Sequence, residues 1–317
     1  MKYETMVNRV LITGGAGFIG SNLIENLLKN HIDVVTIDNL SSGRISNIQN
    51  FISSIDFIES DIESFNLEVL ENIDAVVHLA AQPSVPISLE NFKSSSTTNL
   101  ISSVNIISFC IERKIPLVYA SSSAIYGELE FGSDLSEDID LLSPYAADKK
   151  MLETYTGVAH KAYGLRSIGL RFFNVYGPKQ DPNSDYSGVI SIFIEKMLNN
   201  ENVHLRGGYQ TRDFVYIDDV VKSIIASLKV LEREDIYDCI NVLTGNSISI
   251  ESLLNKISSQ LAITPIVKKV PLPIGDPEKS DGNTSKLKKT LGLDLKSFTD
   301  LNSGLSKTIN YIRNYEA

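Results

Sequence analysis

Tyr145 and Lys149 are the residues of this sequence whose types and spacing most clearly suggest chemistry. Residues four apart on a helix project from the same face. A lysine ammonium beside a phenol stabilises the phenolate, so we expect the pKa of Tyr145 to fall towards neutrality. Such a phenolate can act as a general base towards an alcohol. A surface tyrosine beside a solvated lysine is the alternative, and the other motifs must decide between the two.

A glycine-rich segment, Gly14-Gly15-Ala16-Gly17-Phe18-Ile19-Gly20, follows a short apolar run near the start of the chain. It satisfies G-x-x-G-x-x-G from its first glycine and G-x-G-x-x-G from its second. Glycines allow the tight turn and the close approach of a pyrophosphate to a helix N-terminus. Because a predicted strand precedes the segment and a predicted helix follows it, a dinucleotide site is favoured over an ordinary strand-to-helix turn.

Asp38 ends the second predicted strand, at the distance from the glycines where a carboxylate can accept both ribose hydroxyls. It would repel a 2′-phosphate, so NAD is favoured over NADP, although Arg44 is close enough to weaken that preference. A helix-capping aspartate is the alternative reading of Asp38. Asp61 and Ile62 are candidates for contact with adenine, with a plain turn aspartate as the alternative.

Strand and helix patterns alternate through the first half of the chain. The helical patterns cover 21–30, about 97–113, and a segment that begins at Pro144 with Ser143 as its cap. The apolar, often β-branched runs lie at 10–13, 34–38, 75–79, 117–120 and 167–171. This alternation predicts an α/β fold with a doubly wound parallel Rossmann sheet and a smaller C-terminal α/β substrate domain.

We expect residues 1–176, joined by about 213–242, to form the NAD-binding domain, and residues 177–317 mainly to bind substrate. Gly177-Pro178 interrupts the pattern, and 180–188 is rich in Pro, Asn, Asp, Ser and Gly. Irregular segments of this kind often carry binding groups.

The composition is that of an ordinary globular protein of 317 residues, with 43% hydrophobic and 21% charged residues. A net charge of -10 disfavours nucleic acid and anionic membranes as partners. Cys110 and Cys239 stand in apolar surroundings, which indicates buried free thiols, and no Cys/His cluster suggests a metal. Because no apolar leader or membrane-length run is present, we expect a reduced, cytoplasmic setting.

Eight motifs together resemble the extended short-chain dehydrogenase/reductase family, and within it the UDP-sugar 4-epimerases of the UDP-glucose and UDP-N-acetylglucosamine type. The resemblance covers nearly the whole chain. The motifs are Gly14–Gly20, Asp38-Asn39, His78–Ala81, Asn99, Ser121–Gly127, Ser143–Lys149, Arg171–Pro178 and Arg212–Asp219.

The resemblance implies a catalytic set of Ser122, Tyr145 and Lys149. Tyr145 would take the proton of the sugar 4-hydroxyl, Ser122 would bridge that hydroxyl and the phenolate, and Lys149 would bond the nicotinamide ribose. The C4 hydroxyl would be inverted through a transient 4-keto sugar, and NAD, regenerated in each cycle, would remain bound. A plain turn at the end of a strand is the alternative for Ser121 to Ser123.

The resemblance also assigns binding residues. The implied cofactor contacts are Gly14, Gly17, Phe18, Ile19, Gly20, Asp38, Asn39, Ser42, Gly43, Asp61, Ile62, Leu79, Ala80, Ala81, Asn99, Tyr145, Lys149 and Phe172. The implied substrate contacts are Ser84, Ser122, Ser123, Tyr145, Asn174, Val189, His204, Leu205, Arg212, Asp276 and Ser280. Arg212 could instead form a salt bridge, and His204 could be incidental.

Two departures from the family pattern bear on the substrate. Pro273 stands where the family has a second arginine for the diphosphate, so binding is one cation short unless Lys279 or another group substitutes. Ser280 stands where a bulky tyrosine restricts the pocket to plain hexoses. Together with Ser84, it implies UDP-GlcNAc and UDP-GalNAc as substrates, with UDP-Glc and UDP-Gal as further candidates. Ser280 could equally be an ordinary loop residue.

Other activities of the same fold remain as alternatives. Ser123 and Ala124 replace the Asp-Glu pair of the sugar 4,6-dehydratases, and alanine cannot do acid–base work. UDP-glucuronate epimerases usually have threonine in place of Asn174, and a decarboxylase or a non-catalytic dinucleotide sensor is a further alternative. The resemblance implies a homodimer through a four-helix interface of 97–113 and 145–163; a monomer that buries these faces internally is the alternative.

Overall fold

A seven-stranded parallel sheet forms the centre of the computed structural model, which describes residues 7–184, 187–272 and 277–315. The strands are β1 (Arg9–Thr13), β2 (Asp33–Asp38), β3 (Asp56–Glu59), β4 (Ala75–His78), β5 (Leu117–Ser122), β6 (Ser167–Phe172), β7 (Asn174–Tyr176), β8 (Asn202–Arg206), β9 (Thr211–Tyr216), β10 (Tyr237–Val242), β11 (Ser247–Ser249) and β12 (Ile266–Val270). The order across the main sheet is β10-β6-β5-β4-β1-β2-β3. The predicted doubly wound α/β fold is confirmed.

Helices cover both faces of this sheet. They are α1 (Phe18–Lys29), α2 (Val85–Glu90), α3 (Phe92–Arg113), α4 (Pro144–Tyr163), α5 (Val189–Leu198), α6 (Ile217–Leu231), α7 (Ile250–Leu261), α8 (Ser285–Lys289) and α9 (Leu301–Tyr315). Short 3-10 turns lie at Ile45–Asn47, Gln49–Ser54, Leu67–Val69, Ser123–Tyr126 and Leu295–Ser297. Two clusters of buried apolar side chains result, one on each side of the sheet. Strands buried on both faces explain the continuous apolar runs of the sequence.

The direction of winding reverses between β1 and β4. These strands are hydrogen-bonded neighbours, with Thr13 paired to His78 at their carboxyl ends. Beyond β1 the order runs to β2 and β3, and beyond β4 it runs to β5 and β6. Ligands of open α/β sheets bind in the crevice at such a switch point.

Two helices begin earlier than their sequence patterns suggest. Helix α1 begins at Phe18, because the amide of Ser21 already donates to the carbonyl of Gly17 at 3.0 Å. The apolar stripe that revealed this helix starts only after the glycine loop. Helix α3 begins at Phe92, and its first turns are polar, so apolar periodicity could not reveal them.

Past β6 the chain builds two smaller sheets. One has the order β11-β9-β7, and the other pairs β12 with β8. Strand β10 returns to the edge of the main sheet and runs parallel to β6 from Tyr237↔Ser167 to Val242↔Phe172.

Candidate active site

A cavity of about 430 Å³ lies at the switch point of the main sheet. Its walls come from the glycine loop, the end of β2, the segment after β4, and a loop that follows β7. Most of the predicted cofactor residues line it, namely Gly14, Gly17, Phe18, Ile19, Gly20, Asp38, Asn39, Ser42, Asp61, Ile62, Leu79, Ala80 and Ala81.

The glycine loop packs too tightly for side chains at three of its positions, Gly14, Gly15 and Gly20. Gly14 has φ +75°, and a Cβ there would lie 2.9 Å from the backbone nitrogen of Ala80. A Cβ on Gly20 would lie 2.2 Å from the carbonyl oxygen of Gly14. At Gly17, which caps α1, the nearest heavy atom to an added Cβ is that same oxygen, at 3.2 Å. The N-terminus of α1 is therefore open to a close-lying anion, as a dinucleotide pyrophosphate requires.

The carboxylate of Asp38 is oriented by backbone amides. One oxygen accepts from the amide of Ala16 at 2.9 Å, and the other accepts from the amide of Leu40 at 2.8 Å. Burial raises the pKa of this carboxyl, and the backbone donors oppose that effect. Each oxygen keeps a lone pair for a ribose hydroxyl. A Cβ on Gly43 would lie 2.8 Å from this carboxylate, so Gly43 lets the following loop pass beside it.

The part of the cavity beside the ends of β2 and β3 is shaped by a pair of polar side chains. The amide of Asn39 donates to the carboxylate of Asp61, and both residues line the cavity beside Ile62. The residues predicted to contact adenine are thus brought together, and their direct contact with adenine remains a prediction.

A buried hydrogen-bond chain fixes the bottom of the cavity between β1 and β4. The amides of Leu79 and Ala80 donate to the hydroxyl oxygen of Thr13 at 3.2 and 3.1 Å. That hydroxyl lies 2.7 Å from Nδ1 of His78, whose Nε2 lies 3.2 Å from the hydroxyl of Ser103. Since both lone pairs of the Thr13 oxygen are occupied, its proton goes to Nδ1, and the imidazole carries its proton on Nε2.

The imidazole of His78 stays neutral. Burial, with a smaller contribution from the charge of Lys149, lowers the pKa of His78 to about 3. A neutral ring is also the form that the hydrogen-bond chain requires. In the motif His78–Ala81, His78 therefore stabilises the bottom of the cavity, while Ala80 and Ala81 line it.

Asn99 supports the neighbouring wall. Its side-chain oxygen accepts from the amide of Gln82 at 2.8 Å, and its amide donates to Asp148 at 3.0 Å. Gln82 lines the cavity, whereas Asn99 lies outside the set of described lining residues. The structure gives Asn99 a positioning role, and direct contact with the cofactor remains a prediction.

The three predicted catalytic residues meet at the carboxyl end of β5. Ser122 ends this strand and caps the next 3-10 turn by accepting from the amide of Ala124 at 3.1 Å. Tyr145 lies in the first turn of α4, where the predicted Ser143 cap accepts from the amide of Ala146. The hydroxyl of Ser122 lies beside the Tyr145 phenol and lowers its pKa.

Lys149 is bound to the wall of the cavity, although Lys149 and Tyr145 are not among its described lining residues. Its ammonium donates to the carbonyl of Ala120, a lining residue, at 2.9 Å, and it lies 5.7 Å from the centre of the Tyr145 ring. Burial lowers the pKa of Lys149 to about 8, and the charge of Asp148 opposes that shift. Phe172 pairs with Ser122 across β5 and β6 and is buried beside the same strand ends.

The prediction that the pKa of Tyr145 falls is wrong for the protein's own groups. Burial raises this pKa, the neighbouring hydroxyl of Ser122 lowers it, and the charge of Asp148 raises it again. The ammonium of Lys149 is bound to a backbone carbonyl and lies over the ring, so it does not reverse the effect of burial. A lowered pKa requires a further positive charge beside the phenol.

The predicted substrate residues are spread over several elements. Ser84 caps α2 by accepting from the amide of Ile87 at 3.3 Å, and Ser123 opens the 3-10 turn after β5. Asn174 on β7 donates to the carbonyl of Asp213 at 3.1 Å. Val189 begins α5, while on β8 His204 is exposed and Leu205 is buried. Contact between these residues and the substrate remains a prediction.

Arg212 on β9 is 8% exposed, and its guanidinium donates to the carbonyl of Thr211 at 2.7 Å. Pro273 and Asp276 lie outside the described residues. Ser280 is partly buried, and Lys279, the suggested replacement for the second arginine, is paired with Glu130 at 3.0 Å.

The loop after β7 also lines the cofactor cavity, although no sequence motif places it there. Lining residues from this loop are Lys179, Gln180, Asp181, Ser184 and Ser187. The only signal for it in the sequence is the Pro-, Asn- and Ser-rich composition of 180–188, which is typical of a binding loop but names no ligand.

Comparison with known proteins identifies the family. A profile of the NAD dependent epimerase/dehydratase family matches residues 10–242. A putative UDP-glucose 4-epimerase of Methanocaldococcus jannaschii is 34% identical, over 96% of this chain and 98% of the relative.

Two solved structures are similarly close. UDP-glucose 4-epimerase of Thermotoga maritima, solved with UDP-glucose, has a TM-score of 0.89 at 34% identity and covers 98% of this chain and 100% of that one. UDP-N-acetylglucosamine 4-epimerase of Methanobrevibacter ruminantium, solved with UDP-N-acetylmuramic acid, has the same TM-score, identity and coverage.

The chain belongs to the NAD dependent epimerase/dehydratase family. The predicted resemblance to UDP-sugar 4-epimerases, the isomerase class and the NAD cofactor are thereby confirmed. Among the described residues, no helix has the length and apolarity needed to cross a bilayer. The same residues contain no group of three or more His, Cys, Asp or Glu arranged to hold a metal ion.

Proposed function

We propose that this enzyme interconverts UDP-GlcNAc and UDP-GalNAc by inverting the C4 hydroxyl, and that it also accepts UDP-Glc and UDP-Gal. The observation that carries the reaction is the set at the end of β5, where the hydroxyl of Ser122 lowers the pKa of the Tyr145 phenol and the ammonium of Lys149 lies 5.7 Å from the centre of its ring.

Tyr145 is the proposed general base. Its phenolate would take the proton of the sugar 4-hydroxyl and, after the 4-keto sugar has turned, return that proton to the C4 oxygen as hydride is restored to the opposite face of C4. Ser122 orients the phenol and the sugar hydroxyl, because a serine hydroxyl donates and accepts at once. Bound NAD would supply the hydride acceptor and donor for C4, and the positive charge of its oxidised form would favour the phenolate of Tyr145.

Lys149 is proposed to hold the cofactor ribose against this base. Its ammonium is anchored on the carbonyl of Ala120 at the cavity wall, and its burial excludes water from the charge. The dinucleotide fits the described cavity because the N-terminus of α1 accepts phosphate and the oriented carboxylate of Asp38 accepts ribose hydroxyls.

The proposal for acetamido sugars depends on Ser280. A serine at this position leaves room for an N-acetyl group that a tyrosine would exclude. The structural likeness to a UDP-N-acetylglucosamine 4-epimerase is consistent with this choice, and the likeness to UDP-glucose 4-epimerases is consistent with activity on plain hexoses. Asn174, Arg212 and Asp276 are the proposed contacts to the nucleotide.

Assays of the purified enzyme with UDP-GlcNAc, UDP-GalNAc, UDP-Glc and UDP-Gal test this proposal, with product mass recorded. We expect turnover of both pairs at unchanged mass, and we expect Ser280→Tyr to lose the acetamido pair while keeping the plain pair. Ser280→Ala is the control that keeps the space. Absence of turnover of UDP-GlcNAc would remove the acetamido assignment, and loss of water from the product would indicate a dehydratase instead.

We also propose a homodimer in which α3 and α4 meet their symmetry mates. The exposed faces of these helices carry large apolar side chains, including Ile101 and Val104 on α3 and Tyr155 and Val158 on α4, which are 43–55% exposed. Light scattering should give the mass of two chains, and the mass of one chain would contradict this assembly.

A further inference from the structure

The loop after β7 is attached to helix α1, beside the dinucleotide cavity. The side-chain amide of Asn22 on α1 donates to the carbonyl of Pro178 at 3.1 Å. The ammonium of Lys179 pairs with the carboxylate of Glu25 on α1 at 3.0 Å and lies 3.4 Å from the carbonyl of Ser21. Residues 178–181, which we call the wall segment, therefore contact the helix whose N-terminus opens into the cavity.

Lys179 is held from a second direction. Its ammonium lies 5.0 Å from the centre of the Phe51 ring, in cation–π range, and its side chain is 14% exposed. The adjacent Gln180 accepts from the hydroxyl of Ser191 at 2.7 Å and donates to the carbonyl of Val175 at 3.2 Å. Lys179 and Gln180 are therefore fixed in place, and both line the cavity.

An ion pair attaches the next residue of the wall segment to the loop after β2. Arg44, from the loop after β2, pairs with Asp181, and both residues line the cavity. Arg44 and Lys179 are thus cations of the described lining, and each is paired with a carboxylate of the protein. Their charges hold the protein's own segments together.

We infer that the wall segment retains NAD in the cavity, and that Glu25 is a positioning residue that slows NAD release by anchoring Lys179. Glu25 lies outside the described lining residues, so it acts through Lys179 and not on the dinucleotide. The inference goes beyond the proposed reaction, because it concerns how long the cofactor stays and not which sugar is converted.

Glu25→Gln tests this inference because it removes the anchor of Lys179 without changing a lining residue. Lys29→Met is the matched control: Lys29 pairs with the same Glu25 at 2.9 Å, but it lies on the exposed side of α1, with a side chain that is 69% exposed. The bound NAD of each purified enzyme would be quantified, and its release would be followed after dilution into excess reduced cofactor, whose fluorescence reports the exchange.

We expect Glu25→Gln to release NAD about 5-fold faster than the parent, the factor that corresponds to ~1 kcal/mol for a partly exposed ion pair. Lys29→Met should release it at the parental rate. Raising the ionic strength should speed release from the parent and the control more than from Glu25→Gln, because salt screens the pair that this variant lacks.

An unchanged release rate in Glu25→Gln would overturn the inference. Slower release would overturn it as well, since it would mean that the freed Lys179 binds the dinucleotide phosphates directly. Thermal unfolding of both cofactor-free variants near the parental temperature would show that altered release does not reflect a damaged fold. None of these outcomes depends on the sugar specificity.

Discussion

The cofactor cavity and the predicted substrate contacts are built in different ways. The cavity is shaped mainly by strand ends that are neighbours in one sheet. Hydrogen bonds hold these segments in place, from Asp38 to Ala16, from Thr13 to His78 and from Asn99 to Gln82. Six of the predicted substrate contacts come instead from β7, α5, β8, β9 and a loop near residue 280, namely Asn174, Val189, His204, Leu205, Arg212 and Ser280. We therefore expect a substitution in the cofactor cavity to abolish NAD binding, and a substitution among the substrate contacts to weaken only the binding of the UDP-sugar.

Gly20→Ala should have the largest effect on the cofactor side. Its Cβ would lie 2.2 Å from the carbonyl oxygen of Gly14, and backbone atoms cannot yield as a flexible side chain can. The glycine loop would have to shift, so we expect NAD affinity to fall by more than ~10²-fold, since each ~1.4 kcal/mol is a factor of ten. Titration of the cofactor-free variant with NAD measures this, with circular dichroism as a check on folding. Retention of parental affinity would show that the loop is not closely matched to the dinucleotide.

Lys149→Met should show how much the buried charge of Lys149 lowers the free energy of unfolding. The folded pKa is about 8, whereas an unfolded lysine titrates near ~10.4, so the unfolded chain binds more protons between these values. Stability therefore rises with pH across this window, by about 3 kcal/mol in total.

Urea unfolding of the cofactor-free enzyme from pH 7 to 10.5 checks this dependence. The parent should gain stability relative to Lys149→Met as pH rises, and the gain should be complete near the unfolded pKa. A constant difference between the two proteins across that range would contradict the lowered pKa of Lys149.

Arg212→Met should have a smaller effect, confined to the substrate side. Hydrogen bonds to charged groups contribute about 1.5–3 kcal/mol, so we expect KM for the UDP-sugar to rise by roughly 10-fold or more. NAD content should not change. The matched control is Arg206→Met, because Arg206 is exposed at the end of β8. An unchanged KM for Arg212→Met would remove this residue from the substrate site.

The same contrast explains which features the sequence could predict. Strands β1, β2, β4, β5 and β6 and the glycine loop are local patterns: apolar runs of strand length and glycines at fixed spacing. Ser143, Tyr145 and Lys149 were found in the same way, because a capping residue and a four-residue spacing on one helix are readable from a single segment.

Features that depend on contacts between distant segments could not be predicted from the sequence. Two ion pairs join residues that are far apart in sequence, Arg44 with Asp181 and Lys179 with Glu25. Only the composition of the loop after β7 indicates that it could bind a ligand. The pKa of Tyr145 was misjudged for a related reason: the spacing places a lysine nearby, but it does not show that the ammonium is bound to Ala120 or how deeply the phenol is buried. The pairing of β12 with β8 is equally non-local.

The central claim is that Tyr145 is the base for the sugar hydroxyl, and Tyr145→Phe tests it most directly. Tyr155→Phe is the matched control, since Tyr155 lies on the same helix but faces outward, 43% exposed. We expect kcat/KM of Tyr145→Phe to fall by at least ~10²-fold, the contribution of one general base, at parental NAD content, while the control stays active. Parental kcat/KM in Tyr145→Phe would contradict the account.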